Sequence, residues 1–293
     1  KKNDRENSIE QYEKVIKTLY KYEDSRLTGV QKNTKKIALF DAENNLKQVK
    51  EFPHHDYPLN QIGGIHLNTI EFLSDMHPIR NESEAEDFIS RANLIKKVYE
   101  GVLADLEEQA SAGIFPPEFV YDHVINQLSE FISYDYNEHP LYTQFLRKVK
   151  ELNLDQEREK LFENQIKKAI DESVTPGFKI LRDFMMRTKQ YANKNHGIWS
   201  QPNGDEYYKL RIRSYTTTEY SPEEIHQMGL QEVNRISSRM REILTELGYD
   251  KNKTVGELMN ELNENPEFLY EDTPDRKEIV VNDYTEMMHE AIK

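Results

Sequence analysis

Between residues 88 and 106 the apolar side chains fall at Phe88, Ala92, Ile95, Tyr99, Val102 and Leu106. The step is three or four residues, the period at which side chains return to one face of an α-helix. The same step recurs at Ile9, Tyr12, Val15, Ile16, Leu19 and Tyr20 within residues 7–27, and at Val120, Val124, Leu128 and Phe131. Nowhere does it give way to the period-two alternation of a half-buried strand. The expected fold class is therefore all-α, helix packed on helix, with helices of roughly 12–27 residues.

Stop and start signals divide the pattern. Residues 53–64 are rich in turn formers and read as a loop. Ser83 and Glu86 have capping-box spacing, in which each side chain satisfies a free backbone N–H at a helix start. Gly113 is a plausible C-cap, and Pro116-Pro117 can open the next helix. Residues 141–192 read as further helices with a break at Thr175-Pro176-Gly177. Around residues 195–205 the periodicity lapses, and the chain is expected to subdivide there if anywhere. Ser221-Pro222-Glu223-Glu224 and Thr254 with Glu257 start two more helices, the first running to Gly248, and Thr273-Pro274 starts the last. The last carries Ile279, Val280, Tyr284, Met287 and Met288 on neighbouring faces. No repeat of roughly 30–40 residues is present, which argues against a solenoid scaffold.

Composition narrows the function classes. The chain has 293 residues, long enough to bury roughly 70–75% of its unfolded surface. Hydrophobic residues make up 37% and charged residues 31%, and 17 Tyr and 12 Phe are too many for a disordered chain. The net charge of -14 opposes phosphate backbones and anionic lipid, so nucleic acid is not an expected partner. An acidic surface needs no further reading than solubility. There is no cysteine, hence no disulfide and no cysteine-held metal. No apolar run approaches the roughly 18 residues of a membrane span. The opening Lys1-Lys2-Asn3-Asp4, without a Met or a signal-peptide pattern, reads as a cut after a removed leader or an artificial boundary.

Few residues carry metal or nucleophile chemistry. His289-Glu290 begins like the zincin pattern His-Glu-x-x-His, whose two imidazoles one turn apart share a zinc. Its fifth position is Lys293, whose ammonium has no lone pair to give. His54-His55 are adjacent, point opposite ways if extended, and are expected to be solvated loop histidines. His66, His77, His123, His139, His196 and His226 show no spacing of four. No phosphate-cradling Gly loop and no Gly-x-Ser-x-Gly elbow are present. No catalytic residue and no metal ligand is assigned.

The densest stretch is 197–227. Around a glycine turn it gathers Trp199, Tyr207, Tyr208, Tyr215, Arg211, Arg213 and Thr216-Thr217-Thr218. Tyr hydroxyls and Arg forks can grip the carbonyls and carboxylate of a peptide. Equally, the same residues can form a buried aromatic corner, with Arg paired to Asp205 or Glu206.

The block Gly197-Ile198-Trp199-Ser200-Gln201-Pro202-Asn203-Gly204-Asp205-Glu206-Tyr207-Tyr208, followed by Arg213, Thr216-Thr217-Thr218 and residues 221–230 (SPEEIHQMGL), closely resembles a bacterial family catalogued as domain of unknown function 885. Weaker matches at Pro58-Leu59-Asn60-Gln61, Ala85-Glu86-Asp87-Phe88-Ile89 and Gly113-Ile114-Phe115-Pro116-Pro117 extend the resemblance over most of the chain. It implies a gluzincin-like fold of two helical lobes, similar to carboxypeptidase Taq, with a deep cleft between them. It also implies zinc on a His-Glu-Ala-x-Pro-Gly-His motif in the C-terminal half, where a metal-activated water attacks the peptide carbonyl. Here His289-Glu290-Ala291-Ile292 matches only the first four positions, Lys293 stands where Pro belongs, and the segment follows Thr273-Pro274 too soon. The likeness reads as coincidence, and the chain as ending before the catalytic half. At Tyr215 the family pattern carries His.

The resulting expectation is that residues 1–293 form the helical N-terminal lobe of a zinc-dependent peptidase, inactive alone, with zinc belonging to the full-length protein. Tyr207, Tyr208, Arg213, Thr216 and Thr217 are its substrate-binding candidates. Peptide substrate and the C-terminal half of the same protein are its expected partners. The implied location is the cell envelope or periplasm, as a lipoprotein, with the cytoplasm left open. The alternative is a stand-alone helical binding or interaction module.

Overall fold

The structure, a computed structural model, describes residues 2–292; the Lys1 start and the Lys293 comparison lie outside them. It divides into two units, Lys1–Thr218 and Glu219–Lys293. Residues 195–205 lie inside the first. Both are helical, and among the described residues the only β pairing is an isolated bridge between Pro117 and Asn193. The all-α expectation holds.

In the first unit, α1 (Lys2–Leu19) and α2 (Gly29–Glu51) form an antiparallel hairpin. Thr28 and Gln31 cap α2 reciprocally, Gln31 N–H on the Thr28 hydroxyl and Thr28 N–H on the Gln31 side chain. After the loop at 52–64 come α3 (Ile65–Glu71) and the 30-residue α4 (Glu82–Ser111). Then follow α5 (Glu118–Ser133), α6 (Pro140–Lys150), α7 (Gln156–Ala169) and α8 (Thr175–Thr188), and after an irregular stretch α9 (Gly204–Thr216).

The core is organised by α4. Phe88, Ala92, Ile95, Tyr99, Val102 and Leu106, the stripe read from sequence, are all buried. They pack among Val124, Leu128, Phe145, Phe162 and Phe178. Each of the larger aliphatic and Phe side chains among them stabilises the fold by roughly 1.5–3 kcal/mol. Phe131 stacks on Phe178 with centroids 4.3 Å apart. Gly177 lets α8 approach closely: a Cβ there would lie 3.2 Å from the Lys96 Cα.

Three local expectations are corrected. The cap of α4 is Asn81, whose side chain accepts the Glu84 N–H at 3.0 Å, and Ser83 lies inside the helix. Asn81 is met first along the chain and fills the same role. Second, Thr175-Pro176-Gly177 is no break. α7 continues into α8 through a π-helical turn, Ile170–Val174, in which the Thr175 N–H reaches back to the Ile170 carbonyl. The wider turn accommodates Pro176, which has no N–H to offer. Third, His55 is buried rather than solvated.

In the second unit the expected capping boxes form at Ser221 with Glu224, starting α10 (Pro222–Glu246), and at Thr254 with Glu257, starting α11 (Val255–Glu264). α12 (Arg276–Ile292) completes it, beginning two residues past Pro274. Only Leu244 and Leu258 are buried among the unit's described residues.

Candidate functional site

An open cleft of about 460 Å³ lies in the first unit. α1 lines it with Asp4, Arg5 and Ser8, and α2 with Gln48 and Val49. The following loop contributes Phe52, Pro53, His54 and Asp56, and α4 contributes Asp105 and Glu108. Arg5 is committed to the scaffold, its guanidinium donating to the Val49 carbonyl (3.1 Å) and the Lys50 carbonyl (3.3 Å). Asp105 and Glu108 are exposed and one helical step of three apart, and among the described residues their carboxylates have no hydrogen-bond or ion-pair partner.

The loop behind this cleft is fastened from two sides. From α4, the buried Gln109 side-chain amide donates to the His54 carbonyl at 2.6 Å and the Asp56 carbonyl at 2.9 Å. From the far end of the unit comes the segment 197–208. His55 Nε2 donates to the Pro202 carbonyl at 2.7 Å. A carbonyl can only accept, so this nitrogen carries the proton. Gln201 donates to the Tyr57 hydroxyl (2.5 Å) and the Phe115 carbonyl (2.7 Å). Burial pushes the Tyr57 phenol up to about 12.

Local backbone geometry explains the Pro-Asn-Gly sequence. Asn203 adopts the left-handed conformation (φ 54°), which Asn tolerates better than most residues. A Cβ at Gly204 would collide with the Ile198 carbonyl. The turn therefore requires these two residues to start α9.

The five sequence-derived candidates all lie on or at the end of α9, but they do not converge. Tyr207 is buried beside Phe52 and His55, with ring centroids 5.4 and 4.8 Å away. Its hydroxyl donates to Asp56 Oδ1 at 2.7 Å. Burial, then the Asp56 carboxylate, holds the phenol well above its ordinary range. Tyr208, on the next residue, is 47% exposed. The Arg213 guanidinium lies 4.5 Å over the Phe40 ring and donates to the Asn44 side chain. Thr216 donates its hydroxyl to the Ile212 carbonyl at 2.8 Å. Thr217 is the left-handed C-cap (φ 55°) with an exposed side chain. Of the five, only Tyr207 reaches the cleft wall, through Asp56.

Sequence reading missed the cleft residues themselves. The available signal was the run His54-His55-Asp56-Tyr57 between Pro53 and Pro58, a polar stretch too short for an element and too rich in hydrogen-bonding groups for an idle loop.

Metal-ligating types do not cluster. Among the described residues no group of three or more His, Cys, Asp or Glu is placed to hold a metal ion. His66 meets Gln127 at 3.0 Å, and the buried His139 ring has no polar partner. His289 and Glu290 lie exposed on α12. These residues do not fit the zinc that the resemblance implies. Among the described residues no helix is long and apolar enough to cross a membrane.

A family profile described as "Bacterial protein of unknown function (DUF885)" matches residues 1–293. The fold is similar to that in "the crystal structure of the putative lipoprotein from Colwellia psychrerythraea", with a TM-score of 0.84 and 27% identity. That similarity covers 98% of this chain and 51% of the other, so the chain spans about half the length of the relative. No curated protein matches.

Proposed function

The chain belongs to the bacterial DUF885 family, and from that membership and the cleft geometry we propose that it is the substrate-holding N-terminal lobe of a zinc-dependent peptidase of the cell envelope. The observation that carries the reading is the cleft. Its rear wall includes Pro53, His54 and Asp56, and the segment 197–208, which bears the densest family-like sequence, is one of the two parts that hold this loop in place. A family-characteristic segment used to brace a cleft wall fits a protein whose shared feature is what the cleft holds.

The chemistry of the walls gives the ligand class. Asp105 and Glu108 offer unpaired carboxylates beside the apolar Phe52 and Val49. Such a surface suits a peptide that brings an ammonium or guanidinium group on an apolar stem. Tyr207 then acts as a positioning residue through Asp56, whereas Tyr208, Arg213, Thr216 and Thr217 do not line the cleft and are given no contact with the peptide in it.

No bond-breaking step is assigned to this lobe, because its donor set does not hold the metal. Zinc would supply an activated water from the remainder of a longer protein. The half-length coverage of the solved relative leaves room for that remainder. The description of that relative as a lipoprotein supports an envelope location. The test compares this chain with a protein extended to the relative's full length, assaying bound zinc and hydrolysis of a fluorogenic peptide. Zinc and hydrolysis are expected in the long form only.

A further inference from the structure

Between α3, a π-helical turn at Phe72–Met76 and α4 runs an open groove of about 370 Å³, a volume suited to a small molecule. It belongs to the first unit and shares no lining residue with the cleft. Leu73 and Ile95, both buried, form its floor. Phe72, Leu94 and Val98 form its rims and are 46%, 52% and 49% exposed. In the π turn the His77 N–H reaches back five residues to the Phe72 carbonyl at 2.8 Å. Leu73 points into the core there, and Phe72 stays at the rim.

One charged side chain lines the groove, Arg91, at the start of the α4 wall. Its guanidinium donates to His77 Nε2. His77 Nδ1 lies 2.8 Å from the Pro78 carbonyl, which can only accept, so Nδ1 carries the proton and Nε2 offers its lone pair to the arginine. Burial lowers the His77 pKa and keeps the ring neutral. The ring therefore orients the guanidinium without cancelling its charge. Among the described residues no carboxylate lies within ion-pair distance of Arg91; Asp87, one turn earlier on α4, does not line the groove. Arg158, by contrast, is paired with both Glu82 and Glu86. An oriented arginine fork with N–H groups to spare matches a carboxylate.

The remaining walls decide what the carboxylate is attached to. The polar lining residues are committed: Asn68 donates to the Gly63 carbonyl at 3.0 Å and Thr69 to the Ile65 carbonyl at 2.7 Å. A peptide laid along the groove would leave backbone N–H groups against apolar walls, whereas a hydrocarbon chain has none to satisfy. From Arg91 to Val98 the α4 wall rises about 10 Å.

We propose that this groove binds an apolar monocarboxylate, a medium-length fatty acid, with its carboxylate on Arg91 and its chain between Phe72 and the Leu94–Val98 wall. The site is separate from the peptide cleft and does not rest on the peptidase reading.

The test titrates the full chain calorimetrically with four probes: octanoate, octylammonium, octanol and an N-acetylated apolar tripeptide. Octanoate is expected to bind saturably and more tightly than the other three. Arg91→Gln should weaken it at least about tenfold, the usual range for losing a hydrogen bond between charged groups. Val98→Asp, which places a carboxylate in the wall, should weaken it as well. Both positions are exposed, and circular dichroism checks that each variant keeps the helical content of the parent. No saturable octanoate binding at millimolar concentration overturns the proposal. So does octylammonium, octanol or tripeptide binding as tight as octanoate, or unchanged octanoate binding in either variant.

Discussion

Tyr207 and Asp56 lie 151 positions apart and are joined by a 2.7 Å hydrogen bond from the phenol to the carboxylate. The other Asp56 oxygen accepts from the Gln48 side chain at 2.8 Å. One carboxylate at the cleft thus ties α9 to the end of α2. Shape and polarity of the cleft wall depend on both bonds.

Tyr207→Phe keeps the ring between Phe52 and His55 but removes the donor. The expected loss is about 1.5–3 kcal/mol, the usual worth of a hydrogen bond to a charged acceptor. Tyr207→Ala also removes the ring and should cost roughly 3–5 kcal/mol. Urea unfolding of both variants measures the difference; an unchanged stability in Tyr207→Phe would contradict the role given to the hydroxyl, and equal losses in the two variants would contradict the role given to the ring.

Gly204 and Gly229 should respond in opposite directions to alanine. At Gly204 the added methyl meets the Ile198 carbonyl, so Gly204→Ala should displace the start of α9 and lower the melting temperature by several degrees. At Gly229, inside α10, nothing lies within 4 Å of the new atom. Gly229→Ala should raise helix stability by about 0.5–1 kcal/mol.

Acid should destabilise the first unit through its buried histidines. The His139 ring sits edge-on to Phe131 with both nitrogens unpartnered, and burial lowers its pKa from 6.5 to about 4. The unfolded chain takes up a proton below 6.5, whereas the fold resists until about 4. Stability is therefore full above 6.5, falls as pH drops through this window and levels off below 4. Linkage puts the His139 contribution on the order of 3 kcal/mol. Burial shifts His66 in the same direction. Unfolding free energy measured from pH 7 to 4 should fall less steeply in His139→Leu than in the parent.

Neutralising the cleft should weaken a cationic peptide. Asp105→Asn and Glu108→Gln sit on the exposed side of α4, so each should cost roughly two- to fivefold in affinity and the effect should shrink with added salt. Calorimetric titration with a lysine-rich peptide at low and physiological salt measures this. A salt-independent loss would point to disruption of α4 instead.

What sequence could show followed from how local each determinant is. The stripe from Phe88 to Leu106 and the boxes at Ser221 and Thr254 are set within a few residues, and they form as read. The cap at Asn81 was misplaced by two residues because Asn81-x-x-Glu84 and Ser83-x-x-Glu86 compete on nearly equal terms. Pro176 reads as a break, yet packing of Val174 and Phe178 in the core holds the helix together through a π turn. The burial of His55 depends on Pro202, 147 positions away, and no local pattern announces such a partner. The substrate candidates on α9 were recognisable as a group, but which way each side chain points is decided by Phe52, Asn44 and Phe40 on other elements.

The central claim is that this chain holds peptide and leaves the chemistry to residues outside it. Its most direct test is zinc content and peptide hydrolysis of the purified chain after exposure to excess zinc and removal of the unbound metal. The account predicts far less than one zinc per chain and no hydrolysis above the blank. One tightly held zinc per chain, with hydrolysis abolished by a chelator, would contradict it.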